Sequence, residues 1–250
     1  MNGARMLAII GGSGLSRLAG LEIARREHVN TPYGEPSAPL TFGRLGGREV
    51  VFLARHGDAH AYPPHQVNYR ANIWALKEQG VAAAVSVATV GGIRRSLHPG
   101  ALLVPHQIID YTWGRASTFF ESPGAPVTHV DFTEPYSGEV RSRLLAAGTA
   151  SGVPLGDGAV YAATQGPRLE TAAEIDRLER DGADIVGMTG MPEAVLAREI
   201  GLSYGAIAVV ANHAAGRGDS RQAIRLDQIE AVVARAMTQV LRVISATAAT

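Results

Sequence analysis

The 250-residue sequence has no cysteine, which excludes a disulfide framework and any thiolate metal site. It has no net charge either: 23 Lys and Arg offset 23 Asp and Glu, so no global field favours nucleic acid or an anionic membrane surface. No run of about 18 apolar residues suggests a membrane span. The opening MNGARMLAIIGGSG has an apolar stretch too short for a signal peptide and no usual cleavage region. Repeats and low-complexity tracts are also missing. These absences leave the expectation of a soluble protein, with the cytoplasm as the simplest compartment. The composition itself is globular, 46% apolar and 18% charged, and the length suffices for one sizeable core. The chain 1–250 therefore reads as a single domain.

Apolar runs of strand length alternate with helix-patterned segments, the signature of an α/β fold with a largely parallel or mixed central sheet flanked by helices. Strands are expected at Met6 to Ile10, at Glu49 to Ala54 and over the continuous apolar run Val81 to Val90. Further strands are expected at Ala101 to Asp110 with a kink at Pro105, at Gly158 to Thr164 and at Ser203 to Ala211. Helices are expected over Asn68 to Gln79, Gly138 to Gly152 and Leu226 to about Ala246. Two more lie within Thr164 to Glu199, the stretch that the rest of the chain serves. There the Gly166-Pro167 turn precedes a helix opened by a Thr171/Glu174 capping box and closed at Gly182. A short strand in ADIVGM follows, and a second helix has Pro192 and Glu193 in its first turn. Residues 111–137 carry Trp113, Phe119, Phe120, His129 and Tyr136 on a connection whose length suggests a function.

Several segments have the chemistry of an anion site. GGSGL, Gly11 to Leu15, follows a strand, so its backbone N–H groups can approach an anion closely. It is no dinucleotide fingerprint, since Arg17 stands where the third glycine belongs, and it lacks the Gly-Lys-Ser/Thr of a P-loop. That disfavours a nicotinamide dehydrogenase. Arg55 and His56 come at a strand's carboxyl end, where open α/β sheets bind ligands, and the Arg fork suits phosphate, with His56 as a further donor. His56, His60 and His65 invite a metal, but Asp58 is the only nearby carboxylate and the spacing is not that of H-E-x-x-H. His60 and His65 read as polar loop.

GPRLETAAE followed by GADIVGMTGMPEAVLARE resembles the signature of the purine nucleoside phosphorylase and methylthioadenosine phosphorylase family. The resemblance implies a phosphate clamp of Ser13, Arg55, His56 and the turn at Ala88-Thr89, with Ala88 standing where a hydroxyl residue is expected. It implies a nucleoside pocket of Leu169 and Glu170 at the base, Met188 and Thr189 at the ribose, and Asn212, His213 and Ala214 after the late strand; no specific role attaches to His213. Glu170, Asn212 and His56 are the expected catalytic residues. Inorganic phosphate is the co-substrate, no metal or organic cofactor is needed, and a homotrimer or dimer of trimers is implied. Within the family, Glu170 as acceptor and the Asn212 amide match the N1–H and O6 of a 6-oxopurine. Leu226 is aligned with the sugar's 5′ end, where an apolar side chain favours a methylthio group. The implied reaction is phosphorolysis of S-methyl-5′-thioinosine to hypoxanthine and 5-methylthioribose 1-phosphate. Inosine, guanosine or methylthioadenosine as substrate, or a non-catalytic purine-binding protein, are the alternatives.

Overall fold

The computed structural model describes residues 6–249 apart from 122, 123 and 125. In chain order, β1 spans Leu7–Gly11, β2 Glu22–Glu27, β3 Leu40–Leu45 and β4 Arg48–Ala54. Then come α1 (Tyr69–Glu78), β5 (Ala83–Gly92), β6 (Leu102–Val104), β7 (Gln107–Asp110) and α2 (Gly138–Ser151). The second half holds β8 (Gly156–Asp157), β9 (Val160–Ala163), α3 (Ala172–Arg180), β10 (Ile185–Gly187), α4 (Gly190–Glu199), β11 (Ser203–His213) and α5 (Leu226–Ala249).

Among the described residues, all eleven strands join one mixed sheet. Its main path runs β2-β3-β4-β1-β5-β10-β9-β7. The sheet forks at β5, which pairs in parallel with β11 and, through Gly91 and Gly92, antiparallel with β10. The far edge of β11 carries β6, and β6 carries β8. β1 is parallel to both β4 and β5 and every residue in it is buried, as its unbroken apolar run requires. Helices α2 and α5 pack together against β11, while α1 packs on α4.

The helix ends follow the expected chemistry. Asn68 caps α1 by accepting from the Ala71 N–H, Ser137 caps α2, and Gly152 ends α2 in the left-handed region. The Thr171/Glu174 capping box of α3 is present with both reciprocal bonds. In α4 the regular helix begins only at Pro192, because Met191 holds extended dihedrals. Two expectations change. The segment 101–110 is not one kinked strand: β6 pairs with β11 and β7 with β9, because Pro105 has no N–H to continue a ladder. The exposed strand β2 was not expected, since EIARRE lacks an alternating apolar face.

Six strand ends converge. The segments that follow β1, β4, β9 and β10, and the carboxyl-terminal parts of β5 and β11, all open onto one cavity, the location at which open α/β sheets bind ligands.

Candidate active site

The cavity has a volume of about 470 Å³. Its lining brings Gly12, Ser13, Arg55, His56, Ala88 and Thr89 together with Leu169, Glu170, Met188, Thr189, Asn212 and Ala214. Eleven of the thirteen residues singled out from the sequence are thus brought together. Gly12 is required in this lining. A Cβ there would sit 2.6 Å from the Val87 carbonyl oxygen and 2.7 Å from Arg55 Nη1.

Arg55 is fully buried and engaged differently from expectation. Its Nε and Nη2 donate to the two oxygens of Glu193, at 2.7 and 2.9 Å. Nη1 donates to the Val87 carbonyl at 3.0 Å, and Nη2 also donates to Ser86 Oγ. The Tyr204 hydroxyl donates to Glu193 Oε2 at 2.7 Å. Burial works against the Arg55 charge, but the Glu193 carboxylate outweighs it and holds the guanidinium above the usual arginine value. Its fork is therefore spent on Glu193, and one Nη1 N–H is left for an anion. Glu193, expected only as a residue of the helix's first turn, is a buried counterion. The signal was one acid inside MPEAVLA, a segment otherwise apolar.

His56 also turns round. Its Nδ1 lies 2.8 Å from the Tyr62 carbonyl oxygen, which can only accept, so Nδ1 carries the proton. Burial, assisted by the Arg55 charge, lowers the ring's pKa to about 4. At neutral pH Nε2 therefore presents a lone pair, and His56 is an acceptor rather than the expected donor. His60, assigned to polar loop, lines the cavity: its ring is 4.6 Å from that of His56, and its Nε2 is 3.4 Å from Ser13 Oγ. His65 lies outside the lining.

Glu170 accepts a 2.6 Å hydrogen bond from Thr164 Oγ1. Asn212 follows a bulge at Ala211, where the β11–β5 register shifts, and such bulges re-aim a side chain. One of its amide N–H groups donates to the His213 carbonyl at 2.6 Å. His213 itself does not line the cavity. Its ring is covered by Gly218, whose Cβ would come within 2.6 Å of it, and faces Asp219 at 3.7 Å. Leu226 is also outside, 65% exposed in the first turn of α5. The loop before α5 instead delivers Ile224, and the next helical turn Ile229, to the cavity wall. Arg115 was missed altogether. From the 111–137 connection it donates to the carbonyls of Thr164, Gln165, Met188 and Met191, at 3.2, 2.8, 2.8 and 2.7 Å. Its sequence context carries no periodic or motif signal.

A fold of this topology with its cavity at the strand ends has a family. The chain belongs to the phosphorylase superfamily, whose family model matches residues 6–249, and is thereby an enzyme of that class. In sequence it is similar to the probable S-methyl-5′-thioinosine phosphorylase of Pseudomonas syringae pv. tomato, 54% identical over 240 residues that cover 92% of this chain and 98% of the relative. It is 47% identical to the 6-oxopurine nucleoside phosphorylase of Pyrococcus furiosus, over 84% of this chain and 80% of that one. In structure it is similar to methylthioadenosine phosphorylase from Schistosoma mansoni in complex with adenine, with a TM-score of 0.94 at 31% identity, covering 98% of this chain and 91% of that chain.

Proposed function

We propose that the enzyme cleaves the N-glycosidic bond of a 6-oxopurine nucleoside with inorganic phosphate, and that its substrate is S-methyl-5′-thioinosine, yielding hypoxanthine and 5-methylthioribose 1-phosphate. The observation that carries this reading is the Glu170 carboxylate in the cavity wall together with Asn212. A carboxylate accepts from the N1–H of a 6-oxopurine but faces a lone pair in a 6-aminopurine, and the free N–H of Asn212 suits O6 or N7. A site built on such a polar match rejects the mismatched base by up to about 10⁴-fold. The names of the Pseudomonas and Pyrococcus relatives support the same base class.

Phosphate would sit at Ser13, Thr89, the remaining Arg55 N–H and His56 Nε2, which accepts from a phosphate O–H. The anion then faces the positive charge that develops on the sugar as the bond breaks, and fixed dipoles and positioning supply the rate gain. Glu170 and Asn212 hold the purine as negative charge moves onto it. Met188 and Thr189 lie beside the ribose. No metal or organic cofactor enters this scheme. At the 5′ end, Ile224 and Ile229 replace Leu226 as the apolar surface that favours a methylthio group over a hydroxyl. We also propose a cytoplasmic enzyme and an assembly of three chains or two such trimers, to which the exposed Trp113 and Val127 offer apolar surface. Among the described residues no helix is long and apolar enough to cross a membrane.

The test is hypoxanthine release from S-methyl-5′-thioinosine with and without phosphate, beside inosine and methylthioadenosine. Phosphate-dependent release from methylthioinosine in preference to both others is the expected result. A preference for inosine would remove the 5′ argument, and a preference for methylthioadenosine the base argument. Binding of purine without turnover of any substrate would point to a non-catalytic purine-binding protein.

A further inference from the structure

Glu170 is six residues from Thr164, across the Gly166-Pro167 turn. Among the described residues, the bond from Thr164 Oγ1 is the one hydrogen bond that its carboxylate accepts. The hydroxyl has one proton and two acceptors in range, Glu170 Oε1 at 2.6 Å and the Gly187 carbonyl at 3.3 Å. The shorter contact takes it. Thr164 is itself held on both sides: its N–H donates 2.8 Å to the Gly187 carbonyl, and its own carbonyl accepts from Arg115 Nη2 at 3.2 Å. The turn between the two residues is closely packed, since a Cβ on Gly166 would lie 2.4 Å from Met188 Sδ. The carboxylate is thus tied by one oxygen to a rigid strand end, which leaves the other oxygen as the acceptor that the cavity offers.

We infer that Thr164 is a specificity-determining positioning residue: its hydroxyl fixes Glu170 in the orientation that accepts N1–H, and so sets the preference for 6-oxopurines over 6-aminopurines. Thr164 does not line the cavity, so it acts through Glu170 and not on the nucleoside. The inference rests on the reading of Glu170 as the N1–H acceptor. Without the hydroxyl, Glu170 loses its fixed direction, and the 6-oxopurine loses more than the 6-aminopurine.

The experiment compares hypoxanthine and adenine affinity, by titration in the presence of phosphate, together with kcat/KM for methylthioinosine and methylthioadenosine. The proteins are the wild type, Thr164→Val, Thr164→Ser, Glu170→Ala and the Thr164→Val/Glu170→Ala double variant. Thr164→Val preserves the side chain's shape and removes only the hydroxyl. The expected result is a fall in the oxo-to-amino ratio of roughly tenfold in Thr164→Val, the scale of one hydrogen bond to a charged group. Thr164→Ser should keep the ratio, and Thr164→Val should add nothing to Glu170→Ala. A loss in Thr164→Val that is equal for both bases, or an unchanged ratio, would overturn the role of Thr164. An oxo-to-amino ratio that Glu170→Ala leaves at the wild-type value would instead overturn the reading of Glu170 itself.

Discussion

Replacing Glu193 by glutamine keeps the volume of the site but removes the countercharge of a fully buried guanidinium. Breaking one partner of a buried pair leaves an uncompensated charge, at a cost of about 3–5 kcal/mol, so urea unfolding of Glu193→Gln should show a loss of that order. His56 makes a pH prediction whose sign is set by its lowered pKa of about 4. Between that value and the ordinary 6.5 of an unfolded histidine, the unfolded chain binds the proton and the native ring does not. Stability from this group is therefore complete above about 6.5, declines as pH falls toward 4, and changes little below that. Denaturant midpoints of wild type and His56→Gln over that interval should converge toward acid. These two residues mark what a sequence shows at this scale. That Arg55 and His56 stand at a strand end was legible from the run before them, while their hydrogen-bond partners were not. Glu193 is 138 positions from Arg55, and the carbonyl that fixes the His56 tautomer belongs to Tyr62, a backbone group without any side-chain signature.

Elements were legible in proportion to how locally they are determined. The capping box of α3 needs only neighbouring residues, and it is found where the sequence puts it; the caps of α1 and α2 are equally local. Thr171→Ala should accordingly cost about 1 kcal/mol of stability in urea unfolding, the usual size of a lost N-cap. The strand β2 escaped because pairing with β3, not an apolar face, makes it a strand. The split between β6 and β7 escaped for a similar reason: a proline announces a break but not which neighbours the two halves take. Arg115 joins elements that lie far apart in the sequence. Its guanidinium holds the segments after β9 and β10 against the long connection before α2. Arg115→Ala leaves those carbonyls unpaired, so limited proteolysis should cut the 111–137 connection faster and the KM for nucleoside should rise, with far-UV circular dichroism unchanged. Arg115→Lys supplies charge but not the planar fork and should recover little.

For the molecule as a whole, the cavity couples ligand to stability because it is assembled from six strand ends. A ligand that binds only the folded chain stabilises it by about 2.7 kcal/mol at roughly 100 times Kd. The thermal midpoint should therefore rise with added phosphate and rise further with phosphate plus hypoxanthine. The order of the strands has a consequence for how the chain is made. β11, which follows the other described strands in the sequence, lies inside the sheet between β5 and β6. Until residue 203 has left the ribosome, β6 has β8 as its one sheet partner among the described strands, and the flank of β5 that β11 covers is largely unpaired. The nascent chain must keep this apolar seam covered or occupied until β11 emerges. A message truncated before β11 would therefore yield an open sheet edge, prone to self-association, rather than a smaller working enzyme.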